Sequence, residues 1–192
     1  MKKGRIEAFS DGVLAIIVTI MVLELKIPHG NSWSDLLALW PKFSSYILSF
    51  LMIIIYWNNH HHVFQTVEKV NGKILWTNGL LLFFLSLVPF GTAWMGESHF
   101  DSTPVAFIGI IFLFAGSSYQ LLTRFIINEH GQDSVLAKAM VNDIKGTISL
   151  VVYILGILIF YYYPIVSAIL YLLVGIMWLI PDKRIEREFR KN

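Results

Sequence analysis

Three consecutive histidines, His60, His61 and His62, and an adjacent Ser10–Asp11 pair are the residues of this sequence whose types could do chemistry. Histidine binds zinc and titrates near neutral pH. Neighbouring residues on a helix point about 100° apart, so three adjacent imidazoles cannot converge on one ion there. Neither an H-x-x-x-H pair nor a carboxylate constellation accompanies them. The spacing therefore predicts a hydrogen-bonded cluster, with no metal and no other cofactor. Ser10 beside Asp11 does not make a nucleophile, because no convergent base is identifiable. Arg124, with Gln120 and Tyr119, could form a polar site inside a helix. An Arg near the end of an apolar helix more often carries its charge out to the boundary. No Gly-rich phosphate loop, G-x-S-x-G or H-E-x-x-H occurs, and there is no cysteine, so no enzyme is expected.

The elements that must position these residues are apolar. The 192 residues are 56% hydrophobic and only 15% charged, against roughly a quarter charged in soluble domains, which places the chain in the membrane class. Its formal charge of +2 gives no basis for nucleic-acid binding. A spanning helix needs about 20 mainly apolar residues. The sequence predicts an all-α integral membrane protein, one six-helix unit over 1–192, with helices at 6–27, 43–64, 74–95, 104–127, 147–163 and 165–180. Pro28 and Gly30 stop the first, Pro89 lies inside the third, and Pro104 opens the fourth. The last charge-free apolar run is too long for one span, and Pro164 divides it into two short helices, with a re-entrant hairpin as the alternative. Between the fourth and fifth helices the polar stretch 128–145 is expected to be part helix. The basic start and the apolar run Gly12 to Leu23 resemble a signal peptide, but no small-x-small site follows, and the segment is read as an uncleaved first span.

Basic residues set the orientation. With the N-terminus inside, the inner segments hold Lys2, Lys3, Arg5, Lys69, Lys73, Arg124, Lys138, Lys145, Lys183, Arg184, Arg187, Arg190 and Lys191, and only Lys26 and Lys42 fall outside. Both termini are then cytoplasmic. The stretch 182–192 mixes signs and reads as a solvated or lipid-facing helical tail. Trp33, Trp40, Trp94 and Tyr161 to Tyr163 fall near the outer boundary, and Trp57, Trp76 and Trp178 near the inner one, as an interfacial aromatic belt.

Within RIEAFSDGVLAIIVTIMVLEL, a helical wheel centred on Ile16 puts Ile20, Leu23 and Ile27 within about 40° of it and Thr19 about 60° to one side. Such a stripe can meet lipid, another helix or a lumen. Asp11 lies about 140° away. An ionisable group at that depth costs at least about 2.5 kcal/mol unless partnered, so Asp11 should face protein. Candidate partners are Arg5, Asn58 to His62 on the second helix, and Trp76, Thr77 and Asn78 on the third.

The first helix resembles that of the endosomal/lysosomal potassium channel family, the transmembrane protein 175 family. Arg5, Phe9, Ser10 and Asp11 match its R-x-x-x-F-S-D pattern, followed by Thr19 and Leu23-Glu24-Leu25; further agreement comes from Trp57 to His61, from Trp76 and Asn78, and from Pro89-Phe90-Gly91-Thr92. The remaining helices match only in hydropathy. The resemblance implies a potassium-permeable channel lacking a TVGYG filter, in the bacterial single-repeat, homotetrameric form, in a cell (inner) membrane. It implies a pore lined by the first helix, with aliphatic layers at Ile16, Ile20 and Leu23 and a hydroxyl layer at Thr19. Structural roles follow for Arg5, Phe9, Ser10, Asp11, His60, His61, Trp76 and Asn78. K⁺ is the permeant ion, and no resident cofactor is implied. Bacterial relatives often carry Leu at layers where this chain has Ile. The competing readings are a proton pathway or secondary transporter using Asp11 and the inner-end histidines, and a non-conducting scaffold.

Overall fold

The computed structural model describes residues 3–140 and 143–179, which form helices joined by short turns. In chain order these are α1 (Lys3–Leu23), α2 (Trp33–Leu37), α3 (Trp40–Gln65), α4 (Gly72–Ser86), α5 (Val88–Glu97), α6 (Ser102–His130), α7 (Val135–Met140), α8 (Ile144–Ile159) and α9 (Pro164–Leu179). Among the described residues, three stretches are long and apolar enough to cross a membrane by length and composition: α1, α4 with α5, and α6. The 26-residue α3 runs beside them, with Lys42 near its start and Asn58 to His62 near its end. The helices α8 and α9 have 16 residues each, so each is only about 24 Å long against a hydrocarbon core of about 30 Å. Chain segments that cannot satisfy their backbone in lipid fold as helices, and this chain is an all-helical membrane protein.

Several boundaries differ from those expected. The second helix starts at Trp40, not residue 43, and the fifth runs Ile144–Ile159, not 147–163, because the chain turns at 160–162 ahead of Pro164. The first helix ends at Leu23, not residue 27: Pro28 disfavours helix at the residue before it, and Lys26 pairs with Glu97 at 3.4 Å, drawing the chain off the axis toward α5. The third span is two helices, parted at Leu87. Pro89 has no N–H and its ring clashes with the preceding turn, so the helix restarts around it. The fourth runs on to His130, where Gly131 at φ +89° ends it in a conformation that other residues resist. The stretch 128–145 contains the short α7, whereas Val141 and Asn142 lie outside the described residues. Lys2, Ile180 at the end of the sixth expected helix, and the 182–192 tail with its five basic residues lie outside them too.

Hydrogen bonds define the two ends of the bundle. At one end Lys3 Nζ donates to the Gln65 carbonyl (3.2 Å), Asn71 Nδ2 donates to Glu129 Oε2 (2.6 Å), and Lys145 Nζ reaches the Met177 carbonyl (3.4 Å). These join the start of α1, the end of α3, the start of α4, the end of α6, and the facing ends of α8 and α9. At the other end Lys26 and Lys42 both reach Glu97. The central α6 packs against α4, α5, α8 and α9. Its Ile108, Phe112, Leu122 and Ile126 are fully buried. Phe112, Tyr153 and Tyr171 meet with ring centroids 5.9–6.2 Å apart. Serines and threonines return their hydroxyls to their own helices, as Ser118 does to Phe114 and Ser149 to Lys145. This satisfies polar groups that lipid cannot. Thr92 on α5 also donates to Ser49 Oγ on α3 at 2.6 Å.

Candidate functional site: the first helix and its inner anchor

Ile6, Ser10, Leu14, Ile17 and Met21 recur every three or four residues along α1, and all five are buried. On the wheel they centre about 120° from Ile16. The uncovered side centres opposite them and carries Ile16 (58% exposed), Ile20 (43%) and Leu23 (78%), with Thr19 also exposed. One face of α1 is therefore spent on its own chain, and the Ile16–Thr19–Ile20–Leu23 row is not. The Thr19 hydroxyl donates to the Ile16 carbonyl at 2.8 Å, which leaves the oxygen's lone pairs as acceptors on the uncovered side. Beside the row, Val13, Ile16, Ile17 and Ile20 form one wall of an open groove whose other wall is Ser86, Pro89, Phe90 and Ala93. Since α1 ends at Leu23, Ile27 leaves the stripe and stands in the following loop.

The polar end of α1 splits into three groups. Ser10, His60 and Asn78 are buried together. Asn78 Nδ2 donates to Ser10 Oγ (2.9 Å), and Ser10 donates to the Ile6 carbonyl (2.8 Å). Asn78 Oδ1 lies 2.7 Å from His60 Nε2. An amide oxygen only accepts, so this imidazole carries its proton on Nε2. His60 also stacks on Phe64 at 4.3 Å. The second group is exposed. Asp11 Oδ1 accepts from Trp57 Nε1 at 3.0 Å, Trp57 stacks on His61, and His61 Nε2 accepts from Gln65 Nε2 at 2.9 Å. The third group, Arg5, Phe9 and Trp76, lines an open groove with Leu75 and Gly79, and Trp76 is 81% exposed.

Asp11 thus finds a partner outside the expected set. Trp57, a belt residue by composition, sits three and four residues before His60 and His61, a spacing that puts all three toward one side of α3. That spacing was available in the sequence. The three histidines diverge, with His60 on Asn78 and His61 on Gln65. Arg124 is exposed, while Tyr119 donates from α6 to the Asn59 carbonyl at 3.3 Å, so Arg124 and Tyr119 do not converge.

A family model described as the endosomal/lysosomal potassium channel TMEM175 matches residues 5–89, the stretch that carries α1, α3, α4 and the Pro89 break. A relative from Chryseobacterium sp. (strain P1-3), named as a potassium channel, is 53% identical over 192 residues, all of both chains. The chain belongs to the TMEM175 family. Its fold is also similar to the crystal structure of a lysosomal potassium-selective channel TMEM175 homolog from Chamaesiphon minutus. The TM-score is 0.80 at 28% identity, covering 94% of this chain and 97% of that one. A Homo sapiens relative named as an endosomal/lysosomal proton channel is 32% identical over 116 residues, which is 54% of this chain and 23% of that protein. In this TMEM175 chain, then, the residues shared with the family's R-x-x-x-F-S-D pattern do different things: Ser10 is buried on Asn78, Asp11 is bound at the surface by Trp57, and Arg5 and Phe9 stay on the uncovered side.

Proposed function

We propose that this chain is a potassium-permeable channel of the cell (inner) membrane, assembled as a homotetramer around a path lined by α1. Ile16, Ile20 and Leu23 form aliphatic rings at its narrowest part, with Thr19 as the hydroxyl layer. One observation carries the reading: the row stands uncovered, opposite the face that α1 buries in its own chain. Arg5 and Thr19 share the exposed side of this helix with the row. Polar groups at two depths suit a watery path better than lipid. Relatives named as potassium channels support it. A ring of branched hydrocarbon conducts or blocks according to whether water stays in it, and Thr19 oxygens can replace hydration lost in passage. With no rigid set of carbonyls, preference for K⁺ over Na⁺ is modest. Both termini face the cytoplasm, since among the described residues only Lys26 and Lys42 of the Lys and Arg set lie at the Glu97 end.

Purified protein in liposomes with imposed K⁺ gradients tests this. Rapid K⁺-driven flux is expected, and Ile16→Asn and Leu23→Asn shift the K⁺/Na⁺ preference while flux continues. If both variants leave flux and preference unchanged, the row does not line the path. A second reading, a proton pathway or secondary transporter using Asp11 and the inner-end histidines, draws on the hydrogen bonds gathered at that end and on the relative named as a proton channel. Its test is a proton gradient in the same vesicles, where electroneutral, saturating exchange supports it. Absence of any flux leaves a scaffold.

A further inference from the structure

His130 closes α6 with three contacts that together admit one protonation state. Its Nδ1 lies 2.9 Å from the Ile126 carbonyl, which only accepts, so Nδ1 carries a proton. Its Nε2 lies 2.9 Å from the backbone N of Glu68 and 3.1 Å from that of Lys69. Both are N–H donors, so Nε2 carries none. A second proton on the ring would set a third N–H against these two and abolish both bonds.

The backbone held in this way is the turn between α3 and α4. Just after it, Asn71 caps α4 through Ile74 N (3.0 Å) and donates to Glu129 Oε2. Just before it, the Gln65 carbonyl accepts Lys3 Nζ from α1. The turn therefore stands between the start of α1 and the end of α6. The charged and titratable residues of the segments joined here are Glu68 and Lys69 in the turn, Glu129 beside His130 in the last turn of α6, Lys73 in the first turn of α4 and Asp133 after α6. On α1, Lys3 reaches the Gln65 carbonyl and lies 3.9 Å from Glu7, and His61 and His62 belong to the last turns of α3.

We propose that His130 makes the α3–α4 turn a proton-sensitive latch: docked on α6 while the ring is neutral, released when it is charged. Histidine is the side chain whose charge changes between about pH 5 and 8. The latch is independent of which ion the chain conducts.

The chain has no cysteine, so a spin label on Glu68→Cys reports this turn alone. In nanodiscs, the mobile fraction of the label should rise several-fold between about pH 8 and 5. H130Q, which cannot titrate, should be flat over that range, and H130K should be mobile throughout. The H61Q/H62Q double variant should keep the wild-type response. A flat wild type, a wild-type-like rise in H130Q, or loss of the rise in H61Q/H62Q would each overturn the proposal. Nitrogen-15 spectra of histidine in the unmutated protein give a test free of folding effects. At pH near 8 His130 must be the Nδ1–H tautomer, and an Nε2–H signal there refutes the latch.

Discussion

Asn78 uses the two ends of one amide on two different helices, donating to Ser10 of α1 and accepting from His60 of α3. Every atom in that bridge is buried. Replacing it with Ala strands the His60 N–H away from water, at about 1–3 kcal/mol for a group left unsatisfied, while Ser10 keeps its bond to the Ile6 carbonyl. Asn78→Ala should therefore lower the thermal unfolding midpoint in detergent well beyond what Asp11→Asn does, because Asp11 is exposed and an amide oxygen can still accept from Trp57. Equal losses in the two variants would show that the buried bridge is not what anchors α1. Thr19→Val tests the opposite corner of the same helix. The side chain bonds only its own backbone and is exposed, so stability should stay within about 0.5 kcal/mol, while K⁺ flux in liposomes changes.

Between elements, Tyr171 of α9 wedges against α6 and α8. A Cβ added at Gly109 or at Gly156 would overlap its ring, so the absence of side chains at those two positions is what lets the three helices close. Its hydroxyl is buried and, among the described residues, has no hydrogen-bond partner. Tyr171→Phe keeps the packing and removes the unsatisfied group. It should raise the unfolding midpoint by an amount equivalent to about 1 kcal/mol, and a fall would reveal a partner for the hydroxyl. The far end is held by charge. Lys42 first, and Lys26 with it, hold the Glu97 carboxyl below the usual glutamate range. For a carboxyl depressed in this way, the contribution is complete above the unfolded value and disappears as pH falls through the folded one. Protection of the 24–30 loop against hydrogen exchange, taken relative to the intrinsic rate at each pH, should therefore be intact at neutral pH and be lost only under acid, below the usual glutamate range. Glu97→Gln should exchange fast already at neutral pH; if it does not, the loop is anchored by something other than this pair of lysines.

For the whole molecule, the uncovered row predicts a contact that one chain cannot make. Single cysteines at Leu23 should cross-link between copies in native membranes under mild oxidation, while cysteines at Ile110, exposed on α6, should not. Cross-linking at Ile110 alone would move the common axis to another helix. The all-helical membrane class, the Ile16–Thr19–Ile20–Leu23 spacing and the separation of Lys26 and Lys42 from Lys3 and Lys145 were legible in the sequence, because they follow from hydropathy, helical period and charge, which are local. The burial of Ser10, the Asp11–Trp57 bond and the split of the third span at Leu87 were not. Each depends on which side of a neighbouring helix comes into register, or on where a kinked segment finds support such as the Thr92–Ser49 bond. Periodicity states that α1 has faces. Only packing of α3, α4 and α5 against Ile6, Ser10, Leu14, Ile17 and Met21 decides which of them is left over, because that choice is a competition among helices for the same apolar surface.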